Sequence, residues 1–248
     1  MHTILTRLNI PMLLPCTLLI SAFLITLPAA AEEAVPKKRV DVQTAESQSS
    51  MTPQKALTLL KEGNQRFITD TRYERDLRAK ALILADGQFP YAAILGCIDS
   101  RASHELLFDA GIGDLFSARV AGNFVNTDIL GSLEFATALA GAKIIVVLGH
   151  NQCGAIKGAC DHVEMGNLTH TLSNIAPAVY SVEGFKGQRN SKNEAFVEAV
   201  AHANVELTVD NIIERSPVIK DLIDKGQLMV VGAMLDIATG KVTFLESK

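Results

Sequence analysis

Two short polar clusters carry the side chains from which a reaction centre could be built: Cys97-Ile98-Asp99-Ser100-Arg101 and His150-Asn151-Gln152-Cys153-Gly154. Two thiols and an imidazole make a zinc-binding set, and three protein ligands leave a fourth position open for water or substrate. Asp99 and Arg101 stand two residues apart, so in an extended segment they project to the same side and can pair. Plainer readings exist. A cysteine is often just a small buried hydrophobe, a lone H-x-x-C does not imply a metal, and an exposed Asp–Arg pair is worth little. What favours a metal is that both clusters fall where an apolar run stops, each followed by turn-forming or helix-starting residues.

Those runs are the elements that must position the clusters. Residues 91–98 (YAAILGCI), 143–149 (KIIVVLG) and 228–234 (LMVVGAM) are nearly continuous apolar stretches, with a shorter one at 115–120 (LFSARV). Such runs fit strands buried on both faces, the signature of a parallel sheet. Helical patterns lie between them: 128–140, a long one over 190–214 ended by Ser216-Pro217, and 217–225 closed by Gly226. The segment 240–245 (GKVTFL) reads as an edge strand after a turn. At the front, Thr52 suits an N-cap and Pro53 the first helical position, and Gly63 is expected to weaken that helix near its end. The fold class is α/β: a mainly parallel central sheet flanked by helices, with an edge strand near the C-terminus and an N-terminal helical arm. In such sheets ligands bind beyond the carboxyl ends of the strands, where Cys97, His150 and Cys153 would converge. Cys153 would sit in the first turn of a helix running to about Cys160.

The two ends bound the rest. Arg7 is the only charged residue among 1–31, an apolar run covers 12–27, and Pro28-Ala29-Ala30-Ala31 precedes Glu32-Glu33. That is the pattern of a secretory signal peptide cleaved after Ala31. An uncleaved anchor is the alternative, and Pro11 and Pro15 sit badly in a spanning helix. Cys16 raises the question of a lipoprotein, but Pro15 before it is not the small residue needed there. Residues 32–50 are polar and mixed in charge and read as a flexible leader, with one domain over 51–248. Removing Arg7 takes the net charge from −4 to −5, and with no basic run there is no footprint for nucleic acid. No membrane anchor is expected after cleavage. Of four cysteines, three would remain, Cys97, Cys153 and Cys160, and an odd number argues against a full disulfide framework.

C-x-D-x-R followed by G-H-x-x-C-G resembles the β-class carbonic anhydrases. The likeness extends through residues 63–67 (GNQRF), 114–116 (DLF), 119–123 (RVAGN), 132–135 (SLEF), 226–233 (GQLMVVGA) and Gly240-Lys241-Val242, and so covers roughly 52–246. The departures are mild: Ala102-Ser103 follow the Arg where many members have Val-Pro, and Ile98 stands where Ser or Met is common. The resemblance implies reversible hydration of CO2 to bicarbonate and a proton through a zinc-bound hydroxide, with Zn2+ on Cys97, His150 and Cys153. It also implies that Arg101 holds Asp99 as a carboxylate, and that Asp99 orients the hydroxide. In some members this Asp turns onto the zinc, which would make Asp99 a fourth ligand in a closed state. Two thiolates cancel the charge of Zn2+, so activity is expected to rise toward alkaline pH.

The backbone N–H of Gly154, at a helix start, would suit bicarbonate, or Gly154 serves only a tight turn. His104 is near enough to carry protons but reads more simply as a surface histidine, Cys160 as a packed thiol and His162 as a surface imidazole. Asn123 and Glu134 match the family without an assignable role. The resemblance further implies a homodimer or homotetramer with pocket residues lent by the neighbour. Export points to the periplasm. Rival functions are a carbon disulfide or carbonyl sulfide hydrolase on the same fold, and a non-catalytic zinc-binding protein with Asp99 permanently on the metal.

Overall fold

In a computed structural model, described over residues 38–246, the four long apolar runs become parallel strands: β1 (Ala92–Gly96), β2 (Leu115–Arg119), β3 (Ile144–His150) and β4 (Met229–Leu235). A short β5 (Val242–Phe244) pairs antiparallel with β4, giving the sheet order β2-β1-β3-β4-β5. The expected edge strand is thus present, shorter than the run that suggested it. Every residue of β1 and β3 is buried, which is why they read as unbroken apolar runs and not as alternating ones. β2, on the outer edge, is only half-buried. The expected signal segment at 1–31, with Cys16, lies outside the described residues.

Helices cover both faces. They are α1 (Ala45–Ser49), α2 (Pro53–Ile68), α3 (Leu77–Ile83), α4 (His104–Leu107), α5 (Thr127–Glu134), α6 (Gly154–Cys160), α7 (Gly166–Ser173), α8 (Ala176–Ser181), α9 (Glu194–Arg215) and α10 (Pro217–Asp224). Strand side chains alternate between two cores. Leu95, Ile145, Val147 and Val230 pack with α5, α6, α8 and α9. Ile94, Val146, Leu148 and Val231 pack with α2 and α4. Full burial of each such side chain is worth about 1.5–3 kcal/mol. Among the described residues no helix is long and apolar enough to cross a membrane.

Two details of the helices differ from the sequence reading. Gly63 does not weaken α2, which runs on to Ile68. A Cβ at Gly63 would lie 1.9 Å from the Phe108 carbonyl oxygen, so glycine is there to let α2 rest on the end of α4. Beside it, Asn64 donates to the carbonyls of Leu107 and Gly240 and accepts from Val242 N–H, tying α2 to α4 and β5. The helix expected over 128–140 is α only to Glu134 and then widens into a π turn, Phe135–Leu139.

The flexible leader is also corrected for the part described. Residues 38–50 dock on their own chain. Thr44 and Ser47 form a capping box on α1, and the buried Gln48 amide donates to the carbonyls of Pro90 (2.7 Å) and Ala140 (2.8 Å). Arg39 pairs with Arg75 in an isolated parallel bridge. A polar segment is fixed here by hydrogen bonds to distant backbone, which composition does not reveal.

Candidate metal centre

β1 and β3 are neighbours in parallel register, with Gly96 opposite Leu148, so Cys97 and His150 leave the sheet at one carboxyl edge. β1 connects onward to β2 on one side and β3 to β4 on the other. The crevice between β1 and β3 is therefore the topological switch point, where open α/β sheets bind ligands. After β3 the chain turns through Gln152, at φ +53°, and Cys153 becomes the N-cap residue of α6. The three side chains meet. Cys97 Sγ, Cys153 Sγ and a His150 ring nitrogen all lie within 4.8 Å of one another, and the three residues are 5%, 1% and 2% exposed.

The two sulfurs are 3.9 Å apart, far beyond a disulfide bond. Tetrahedral coordination at a zinc–sulfur distance of 2.3 Å would place them about 3.8 Å apart. His150 Nδ1 is paired with the Asn151 carbonyl at 2.7 Å, while the buried Nε2 has no hydrogen-bond partner. A buried nitrogen without a partner is costly, and coordination to a metal would relieve it. Asn151 is itself held, donating to Asp236 and accepting from Ile237 N–H, so the imidazole has a fixed second shell. The hydrogen bond shared by the two thiols, then the nearby His150 ring and the Gly122 N–H, draw the Cys97 thiol below its ordinary value against the cost of burial. Cys153 is pushed up by that same bond and by burial. Burial pulls His150 down, but the nearby Cys97 sulfur, the Asn151 carbonyl and the charge of Asp99 outweigh it and raise its pKa.

Asp99 stands beside this set. Its Oδ2 is 3.9 Å from His150 Nε2, yet the carboxylate is gripped by Arg101: Nη2 to Oδ2 at 2.7 Å, Nε to Oδ1 at 2.9 Å, and the Arg101 backbone N–H to Oδ1 at 3.0 Å. Those bonds hold Asp99 far below the usual carboxylate range. The donor set lies in the switch-point crevice with an ionised carboxylate at its rim, an arrangement that could hold a metal.

The carbonic anhydrase family profile matches residues 92–242. Carbonic anhydrase 2 of Mycobacterium tuberculosis is 35% identical over 198 residues, spanning 76% of this chain and 91% of that one. Among solved structures, a tetrameric β-carbonic anhydrase from Sordaria macrospora superposes with a TM-score of 0.59 at 29% identity, covering 66% of this chain and 84% of that one. The Coccomyxa β-carbonic anhydrase in complex with acetazolamide superposes at 0.58 with 25% identity, covering 76% and 86%. This chain belongs to the β-carbonic anhydrases.

As a β-carbonic anhydrase it is an enzyme, and the structure brings together Cys97, Asp99, Arg101, His150 and Cys153 as the sequence reading expected. Gly154 takes the first position of α6; its φ is not positive, and a Cβ there would meet open space. The tight-turn explanation therefore does not apply to it. The strained turn falls on Gln152 instead.

His104 is corrected. It is no surface histidine but 1% exposed, with Nδ1 against Ser117 Oγ at 2.6 Å and Nε2 without a partner. It fills the space a Cβ on Gly96 would occupy. Burial, helped by the charge of Arg119, pushes its pKa down to about 4, so it stays neutral. Cys160 is a packed thiol, raised to about 11 by burial. His162 is exposed and stacks on Tyr180. Glu134 accepts from Ser216 Oγ at 2.5 Å, tying α5 to the junction of α9 and α10.

Two groups at the site escaped the sequence reading. Arg119 donates to the carbonyls of Cys97 (2.9 Å) and Asp99 (2.5 Å), fixing the loop between them. The backbone N–H of Gly122 reaches Cys97 Sγ at 3.4 Å. Both lie in the run RVAGN, whose likeness to the family was the only signal; a backbone donor leaves none of its own.

Proposed function

We propose that this chain catalyses the reversible hydration of CO2 to bicarbonate and a proton, using a zinc ion held by Cys97, His150 and Cys153. The observation that carries the reading is the buried, partnerless His150 Nε2 facing two thiols at coordination spacing, next to a carboxylate held by arginine. Zinc, when bound, supplies a hydroxide near neutral pH by acidifying coordinated water. Asp99 supplies orientation: its Oδ2, the oxygen nearer the donor set, accepts a hydrogen bond from the attacking oxygen and aims its lone pair at CO2. Arg101 keeps that carboxylate ionised and turned off the metal, so an intact pair is the open state. Open space at Gly154 leaves room for bicarbonate beside the donor set.

We also read the active form as a homodimer or homotetramer. Among the described residues nothing pairs with the outer edge of β2, and such edges are normally covered or paired. Along it runs a groove of about 740 Å³ lined by Phe116, Ile129 and the half-exposed Phe135. The sequence of residues 1–31 supports export, most simply to a periplasm, and N-terminal sequencing of the secreted protein tests it. For the reaction, the test is zinc content together with CO2 hydration: one zinc per chain and zinc-dependent turnover are expected, and turnover unchanged by zinc removal would overturn the proposal.

A further inference from the structure

The buried face of α9 is apolar at Phe196, Val197, Val200, Ala201, Val205, Val209 and Ile212, and is interrupted by Asn204 and Thr208. A buried amide is costly unless it is bonded. Asn204, 3% exposed, donates from Nδ2 to the Gly122 carbonyl at 2.8 Å. Gly122 is the residue whose N–H points at Cys97 Sγ.

The local backbone explains why that bond matters. Residues 120–123 form a turn closed by Asn123 N–H to the Val120 carbonyl at 2.9 Å. Gly122 is its third residue, at φ +84°, the place and sign that a type II turn requires. A side chain cannot stand there, since a Cβ would lie 2.3 Å from Ile175 Cδ1. Glycine alone does not choose among its many conformations. The peptide after Gly122 is pinned at both ends, by Val120 through its N–H and by Asn204 through its carbonyl. The peptide before it is thereby left with its N–H, not its carbonyl, toward the sulfur.

We infer that Asn204 is a positioning residue for the metal centre, holding Gly122 so that its N–H caps the Cys97 sulfur while that sulfur ligates the metal. This rests on the zinc reading above. Groups that orient a ligand from outside the coordination shell typically change metal affinity about 10- to 100-fold when removed. A lost N–H···S bond also raises the energy of the sulfur electrons, so sulfur-to-metal charge transfer moves to longer wavelength.

The test is Asn204→Leu, which keeps the branched shape and deletes the donor, beside Thr208→Val one turn along the same face as a control. Zinc affinity is read by chelator competition, and the charge-transfer band on the cobalt-loaded full chain. The expected result is zinc binding at least about tenfold weaker with a red-shifted cobalt band in Asn204→Leu, and neither change in Thr208→Val. Equal affinity and an unshifted band, whatever the melting temperature, would overturn the inference, as would equal weakening in both variants. If Asn204→Leu does not fold, Asn204→Ala is read in the same way. A wild-type chain that takes up no zinc would instead bring down the zinc reading, and this inference with it.

Discussion

Two polar clusters among the described residues are built on opposite plans. One is the set Cys97, His150, Cys153 and Asp99 at the carboxyl ends of β1 and β3. The other lies past the end of α4, where Asp109, its side chain 3% exposed, is gripped by Arg66 and Arg75 and accepts from Tyr73 N–H. Arg39, Arg66 and Arg75 all sit against the Tyr73 ring, 3.9, 4.3 and 5.3 Å from its centre. Alongside, the buried Lys80 pairs with Asp114 at 2.5 Å. Burial works against the Asp109 carboxylate, but hydrogen bonds from Arg75 and Arg66 outweigh it and lower its pKa. In that second cluster Arg66 and Arg75 share Asp109, Lys80 takes Asp114 and Arg39 takes Asp41, so each charge has an opposite partner. In the first, two thiols crowd each other and a buried imidazole nitrogen has no partner. A cluster that closes on itself holds the fold, and the open one carries donors suited to a metal.

Substitutions can break that contrast. The largest effect is expected from His150→Ala or Cys153→Ala: zinc content falls to zero and turnover drops more than about 100-fold, with the circular dichroism of the fold kept. Retention of stoichiometric zinc would show that the open cluster is not the metal site. Asp109→Asn should do the reverse, lowering unfolding free energy by roughly 1–3 kcal/mol, because it removes the charge that pairs two half-buried arginines. Zinc per chain and turnover per folded molecule should be unchanged, and a loss of zinc in this variant would erase the distinction.

Arg101→Ala sharpens the comparison within the open cluster. Turnover should fall about 100-fold with zinc retained, because Asp99 is freed to turn onto the metal; zinc and activity lost together would make Arg101 structural instead. The smallest effect belongs to His104. Its pKa in the fold, about 4, lies below the unfolded value, so the unfolded chain takes the proton first as pH falls. Its contribution is complete above about pH 6.5 and is lost between there and 4, amounting to about 2 kcal/mol at pH 5. Denaturation of wild type and His104→Gln should therefore converge as pH drops, and a constant gap would contradict a buried neutral histidine.

Much of this was legible in the sequence because the informative signals were local. Runs such as KIIVVLG can only be doubly buried strands, and two liganding clusters stand where two such runs end. What stayed hidden depended on distant neighbours. Gln48 docks by donating to the Pro90 and Ala140 carbonyls, a distant pairing that a polar leader cannot announce. His104 is buried because Gly96 leaves a hole above it and Ser117 offers a hydroxyl. Gly63 looked like a helix breaker until the backbone of Phe108 was found against it.

The most direct test of the central claim is stopped-flow CO2 hydration by the wild-type protein, zinc-loaded and zinc-stripped, across about pH 6.5 to 9. Turnover that requires zinc and rises with pH is the predicted result. A zinc-replete protein with no turnover at any pH, or activity that survives complete zinc removal, would contradict it.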